Sequence, residues 1–242
     1  MHEITSLVRR WLPALAVLLA LAAMVPPAGT YARRYAVAQA AQFVLFAVVV
    51  PALLAAGWPA RMPVPRWRRP PTPAARAIQP GPRAAASLLP FVLLAVGWRL
   101  PAALSALDRD PALAAAELAT LASAGTVVWL ELAAGVASPR LPRPLRAAVA
   151  AVAMWTIWVV AYVTGMAGVG APVRASALSA ADDRQLAAAV LWAVPAICFV
   201  PVVYTNLMRW LGDRSEAEPA VPHGRSHEAA VTAPRPPRGW RR

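Results

Sequence analysis

The chain has 242 residues, of which 59% are hydrophobic and only 14% are charged. Because soluble domains carry about 25% charged residues, this composition excludes an ordinary soluble domain and indicates a membrane protein. All 24 basic residues are arginine, the formal net charge is +13, and the single cysteine excludes an internal disulfide and a multi-cysteine metal site.

Six segments along the chain are long and apolar enough to be membrane helices, since a span needs about 20 residues and at least about 17. They run approximately from Trp11 to Ala28, Val37 to Gly57, Ala84 to Leu104, Leu113 to Ala137, Leu145 to Val169, and Gln185 to Leu211. The third is interrupted by Pro90, Arg99 and Pro101, so its full crossing stays open. The pattern predicts an all-α polytopic membrane helix bundle with about six transmembrane helices.

The arginines predict the orientation of this bundle, because positive residues favour the cytoplasmic side. With the N-terminus inside, 18 arginines fall on cytoplasmic segments and six on outer segments. We therefore predict N-in, C-in topology, with the lipid bilayer as a partner and no nucleic acid. Arg9 and Arg10 before an apolar core also suit a signal peptide ending near Ala28, so retention or cleavage of this segment stays open.

The same composition divides the chain into a membrane domain and a tail. Residues 1–212 form the predicted transmembrane domain. Within it, residues 58–83 form a basic, proline-rich cytoplasmic linker in which helix is unfavourable. This linker either rests on anionic lipid heads or serves only as a topology determinant. Residues 213–242 form a predicted disordered, basic cytoplasmic tail.

Four polar side chains within the apolar segments form a predicted polar site. Gln39 and Gln42 are three residues apart and share a helix face. Glu117 lies near the outer end of the fourth segment, and Glu131 lies about 9 Å from its inner end. A carboxylate deep in a membrane costs about 2.5–3.5 kcal/mol. Glu131 is therefore either a proton or cation site, or a near-interface residue that meets Arg140 or a hydroxyl.

The sequence carries no soluble-enzyme motif, and we predict that the chain is not an enzyme. A P-loop needs a lysine, which is absent. The three histidines, His2, His223 and His227, all lie near the termini, whereas a serine triad needs a histidine near the core. His223 and His227 have metal-binding spacing, but the neighbouring Pro222 and Gly224 favour a solvated tail.

Four stretches, taken in order, resemble the CtaG family of membrane-embedded cytochrome c oxidase assembly proteins. They are "AQFVLFAVVVPALLAAGWP", "WRLPAALSAL", "DPALAAAELATLASAGTVVWL" and "LSAADDRQLAAAVLW". The family typically has His-Met-x-Gln-His before an apolar run that ends in Pro-x-Leu-Leu and a Gly-x-Pro exit. Trp-His-Leu-Pro-Ala-Leu and then His-Pro-x-x-His-x-x-Glu-His follow. The matching residues are Pro51, Leu53, Leu54, Gly57, Pro59, Trp98, Leu100, Pro101, Pro111, Glu117, Ala124, Gly125, Trp129, Asp182, Asp183, Gln185, Leu186 and Trp192.

The resemblance implies a copper site at the outer ends of the second and fourth segments. The family's two histidine pairs fall on Ala38 and Gln42, and on Ala114 and Leu118. Alanine and leucine offer no donor atom, and a glutamine amide is a poor ligand for Cu(I). We therefore predict no metal ligand and no cofactor in this chain, copper being implied by the family alone. Gln42 and Glu117 could instead share a hydrogen bond across the two helices.

The function implied by the resemblance is maturation of a haem–copper oxidase, the terminal enzyme of a respiratory chain. The protein would be a multi-pass protein of the bacterial plasma membrane, with oxidase subunits or another assembly factor as partners. Two alternatives stay open: a ligand-free membrane interaction scaffold, and a transporter-like protein with Glu131 in a polar path.

Overall fold

The computed structural model is helical throughout its regular elements, and no strand occurs in the residues it describes. Those residues are 2–26, 28–32, 34–57, 80–107, 109–133, 141–166 and 179–217. The helices are α1 (His2–Met24), α2 (Ala28–Ala32), α3 (Ala36–Gly57), α4 (Pro80–Gly97), α5 (Pro101–Leu107), α6 (Pro111–Leu132), α7 (Arg143–Met166) and α8 (Ala180–Ala217). The predicted all-α helix bundle is confirmed.

Five of these helices, α3, α4, α6, α7 and α8, are long and apolar enough to cross a membrane. They correspond to the second to sixth predicted segments. The first predicted segment lies on α1, whose helix ends at Met24 rather than at Ala28. Crossing by α1 and the cytoplasmic assignment of either face stay predictions.

The segment from Ala84 to Leu104, whose full crossing the sequence leaves open, consists of two helices in the structure. Helix α4 begins at Pro80 and ends at Gly97, and α5 begins at Pro101 after a turn. Arg99 lies in this turn, and its side chain reaches Glu117 of α6. At this break, a charged side chain enters the bundle from a turn between two helices.

Helix occupies one end of the predicted linker and one end of the predicted tail. The linker was predicted over residues 58–83, but residues 80–83 are the first turn of α4, and residues 58–79 lie outside the described part of the chain. The tail was predicted from Asp213, but α8 continues to Ala217. Residues 218–242 lie outside the described part.

Three contacts between helix ends define one face of the bundle, which we call the arginine-rich face. They are Arg9 Nε to the Ala56 carbonyl (2.9 Å), Arg83 Nη2 to Glu131 Oε1 (3.2 Å), and the Arg143–Asp213 ion pair. At the opposite face, the starts of α3 and α8 meet through Asp183. Neighbouring helices in sequence therefore alternate in direction. The start of α1 and the end of α8 consequently lie at the same face, as an N-in, C-in topology requires.

Helix α6 crosses α3 at a glycine. Residues Leu45–Val49 of α3 form a π-helical turn just before Pro51, which has no N–H to bond to the carbonyl of Ala47. A Cβ atom on Gly125 would lie 2.4 Å from the Ala47 oxygen. Glycine at this position therefore permits a close approach of the two backbones, as is usual between membrane helices.

Large apolar side chains point outward on several helices. Trp11 is 67% exposed, Trp155 is 61% exposed and Ile197 is 72% exposed. Apolar surface of this extent is unfavourable in water and marks a surface that contacts lipid or protein. The outward side chains therefore agree with a bundle surrounded by a bilayer, while the buried core holds mainly small side chains and a few aromatics such as Phe43 and Phe199.

Candidate functional site

A cavity of about 160 Å³ lies where the starts of α3 and α6 meet. We call it the polar cavity. Gln39 and Gln42 line it from α3, and Ala114, Glu117 and Leu118 line it from α6. The other lining residues are Met24, Gly29, Ala32, Leu107, Pro111 and Ala115. The predicted polar residues near the outer helix ends are thus brought together.

Three of the four positions aligned with family histidines line the polar cavity. They are Gln42, Ala114 and Leu118, whereas Ala38 is not among the lining residues. The prediction that these helix starts lie at the same face therefore holds. The aligned positions share one cavity, but they present an amide, a methyl group and an isobutyl group to it.

Gln42 is bonded to α1 rather than to α6. Its Nε2 donates to the carbonyl of Ala23 at 3.0 Å, one residue before α1 ends. The last carbonyls of a helix lack partners within the helix, so the amide satisfies one of them. The structure therefore does not form the hydrogen bond that Gln42 and Glu117 could have shared: Gln42 connects α3 to α1, and the Glu117 carboxylate has another partner.

That partner is Arg99, which forms a buried ion pair with Glu117. The Arg99 side chain is 14% exposed and the Glu117 side chain is 8% exposed. The guanidinium also lies over the ring of Phe43, with its Cζ 4.3 Å from the ring centroid, a cation–π contact. Trp98 Nε1 donates to Thr120 Oγ1 at 3.1 Å, which holds the turn against α6.

The electrostatics of this pair follow from its burial. Loss of water lowers the pKa of the Arg99 guanidinium, and the Glu117 carboxylate opposes that shift. Arginine stays charged in proteins even so. Removing one member of a buried pair leaves the other charge uncompensated, which destabilises the fold. Arg99 and Glu117 are therefore each needed to stabilise the buried charge of the other.

Sequence reasoning missed Arg99 as a site residue and treated it only as an outer arginine that interrupts a segment. The signal was present in the resemblance. Arg99 follows Trp98 and precedes Leu100, so it occupies the place of histidine in the family's Trp-His-Leu-Pro pattern. The chain keeps the family's glutamate at 117 and places a fixed cation beside it.

Asp183 is a second buried charge at this end of the bundle. Its side chain is fully buried, and its Oδ2 and Oδ1 accept hydrogen bonds from the backbone N–H groups of Ala36 (2.6 Å) and Val37 (3.0 Å). Tyr35, the residue before α3, provides no side-chain cap. A carboxylate from α8 therefore caps α3, where the helix dipole favours negative charge. The sequence placed Asp183 in a matching motif but gave no role for it.

A mainly apolar cavity of about 180 Å³ lies next to the polar cavity. Gln39 lines both cavities, and Arg99 lines the apolar one. The walls otherwise come mostly from aliphatic side chains of α4, α5, α7 and α8, such as Val96, Leu104 and Val163. The Arg99–Glu117 pair thus stands between two spaces of different polarity.

Glu131 does not belong to the polar cavity. It lies 14 residues after Glu117 on α6, which corresponds to about 21 Å along the helix. Arg83 donates to its Oε1 from both Nε and Nη2 at 3.2 Å. Of the two earlier interpretations, the structure favours an ion-paired residue near a helix end, but with Arg83 as the partner; Arg140 lies outside the described residues.

No group of three potential metal-binding side chains of His, Cys, Asp or Glu occurs among the described residues. His223 and His227 lie outside the described part of the chain, as does the side chain of His2. The donor set at the polar cavity therefore does not fit copper. Gln42 is bonded to Ala23, Glu117 is bonded to Arg99, and Met24 offers a single thioether.

The fold defines a multi-pass helical membrane protein that holds a buried ion pair, Arg99 and Glu117, at the end opposite the arginine-rich face. A family model described as cytochrome c oxidase caa3 assembly factor (Caa3_CtaG) matches residues 4–213. The match covers most of the 242 residues, so the chain belongs to this family, and the resemblance drawn from its motifs is confirmed. Comparison with curated proteins and with solved structures gave no significant match.

Proposed function

We propose that this protein assists the maturation of a haem–copper oxidase in the bacterial plasma membrane, without a copper site of its own and without catalysis. The observation that carries the proposal is the family match over residues 4–213. Its partners would be the lipid bilayer and either oxidase subunits or another assembly factor. Assistance would come from contacts between membrane helices, because the chain offers few groups for chemistry.

The absence of a copper site is supported by the chemistry of the polar cavity. Copper(I) prefers soft thiolate or thioether ligands and also accepts imidazole. At the three aligned positions that line the cavity, the chain has Gln42, Ala114 and Leu118. The negative charge of Glu117 is balanced by Arg99. A guanidinium thus provides the positive charge beside Glu117, so no bound metal ion is needed to balance the carboxylate.

Deletion of the gene tests the role in assembly. We expect the deletion strain to lose cytochrome c oxidase activity and the absorbance of the mature oxidase haems, with recovery from a plasmid copy. The Arg109→Gln variant should restore both, because Arg109 is exposed and lies outside the polar cavity. Normal oxidase amount and normal oxidase copper in the deletion strain would contradict the proposal.

Metal analysis of the detergent-purified protein tests the lack of copper separately. We expect far less than one copper per chain after incubation with Cu(I) and removal of the excess. The variant Ala38→His/Gln42→His/Ala114→His/Leu118→His should gain copper, since it restores two imidazole pairs with i,i+4 spacing. Stoichiometric copper in the unmodified protein would overturn this part of the proposal and leave the role in assembly standing.

A further inference from the structure

Three arginines gather where α7 begins and α8 ends, on the arginine-rich face. Arg143 and Arg146 are three residues apart on α7 and so share a helix face. Arg143 Nη1 donates to the backbone carbonyl of Arg209 at 3.3 Å, and Arg143 also pairs with Asp213. The start of one helix and the end of the next are therefore joined through positively charged side chains.

Arg146 is the unusual member of this cluster. The residue is only 7% exposed, and its Nε is buried without a hydrogen-bond partner among the described residues. Arg143 and Arg209 are close enough to repel its charge. Neither neighbour stabilises a buried cation, and a guanidinium that loses water without a hydrogen-bond acceptor is costly.

Among the side chains that the structure describes, the local charge balance is positive. Against the three arginines stands Asp213, whose side chain is 61% exposed and which is already paired with Arg143. The first turn of α7 adds the positive end of its helix dipole, which attracts anions. An anion that reached Arg146 would be held by charges on two helices.

We propose that Arg143, Arg146 and Arg209 form a binding site for a phosphate group. Guanidinium groups bind phosphate oxygens through paired, charge-assisted hydrogen bonds. A phosphate group offers more acceptor oxygens than a carboxylate, so it can bond to several guanidinium groups at once. Basic pockets between membrane helices commonly take lipid head groups.

The surroundings favour a phospholipid as the source of the phosphate over dissolved phosphate. Leu207, Met208 and Leu211 flank Arg209 on α8 and are exposed, so acyl chains can lie along this helix. Trp210 lies beside them with the Arg214 guanidinium over its ring, 4.3 Å from the centroid. Tryptophan and arginine at a helix end are typical of the level of lipid head groups.

Thermal unfolding of the full-length protein in a neutral detergent tests the site. The probes are phosphatidylglycerol, inorganic phosphate, and a diacylglycerol that has no phosphate. We expect phosphatidylglycerol to raise the Tm and diacylglycerol to leave it unchanged. A Tm rise with inorganic phosphate as well would support the site with phosphate alone as its ligand. No rise with either phosphate-containing probe would overturn the proposal.

Variants assign the effect to the cluster. Arg146→Gln and Arg209→Gln should each weaken phosphatidylglycerol binding about tenfold, the loss expected for one charge-assisted hydrogen-bonding group. Arg209 is exposed, so its variant remains informative if Arg146→Gln does not fold. Arg109→Gln, an exposed arginine away from this face, is the matched control and should bind as the unmodified protein does. Equal binding by the unmodified protein, Arg146→Gln and Arg209→Gln would refute the assignment.

Discussion

Helix α6 carries two glutamates that each pair with an arginine, and the two pairs differ mainly in burial. At one end, the side chains of Arg99 and Glu117 are 14% and 8% exposed. At the other end, Arg83 is 36% exposed while Glu131 is 10% exposed. The two glutamates are shielded to a similar extent, but of the two arginines Arg83 is much more exposed than Arg99. Water and ions can take the place of an exposed arginine, so its loss should cost little stability. Loss of an enclosed arginine should cost much more.

The largest effect is expected for Arg99→Gln, which leaves the Glu117 carboxylate buried without its cation. We expect a loss of about 3–5 kcal/mol in the free energy of unfolding, as for other broken buried pairs. The double variant Arg99→Gln/Glu117→Gln should recover much of this loss, because no charge is then left uncompensated. Unfolding curves followed by tryptophan fluorescence in detergent measure both. Equal stability of Arg99→Gln and the unmodified protein would show that the pair does not stabilise the bundle.

The crossing of α3 and α6 lies between the two pairs and gives the next effect. Gly125→Ala places a Cβ against the Ala47 carbonyl, so we expect destabilisation of about 1–3 kcal/mol through overpacking. Gly97→Ala is the matched control, because a Cβ there meets no atom within 4 Å. The two variants should differ clearly in Tm. A Gly125→Ala protein as stable as Gly97→Ala would mean that the helices separate at no cost.

The cap on α3 provides a third test, at the end of the bundle that holds the Arg99–Glu117 pair. Asp183→Ala removes the acceptor for the N–H groups of Ala36 and Val37, and loss of such a cap costs about 0.5–2 kcal/mol. Asp182→Ala is a suitable comparison, because Asp182 bonds to Ser179 at the exposed start of α8. Hydrogen exchange at the first turn of α3 should rise in Asp183→Ala and stay unchanged in Asp182→Ala. Unchanged protection in both would contradict capping across helices.

The smallest effect is expected for Arg83→Gln. The partly exposed pair should contribute less than about 1 kcal/mol, as surface pairs do, and less still at high salt. The same unfolding measurement at low and high salt checks this. A loss as large as that of Arg99→Gln would remove the distinction between the two ends of α6.

The sequence alone determined the class of the protein, the five helices that the structure also identifies as potential spans, and the family. Composition and apolar run length are local properties, and a helix in lipid satisfies its backbone within its own segment, so no tertiary information is needed to find it. The adjacency of Gln42, Ala114 and Leu118 also followed, because alternating helices bring the starts of α3 and α6 to one face.

Only the tertiary structure decided which polar groups pair. The partner of Glu117 is 18 residues away in sequence, the partner of Glu131 is 48 residues away, and the Ala36 N–H bonds to a carboxylate 147 residues away. Periodicity places a residue on a face of its own helix, but it carries no information on which neighbour meets that face. For the same reason Arg99 reads in sequence as an interruption of a span, while in the folded bundle the turn that contains it directs its charge onto Glu117.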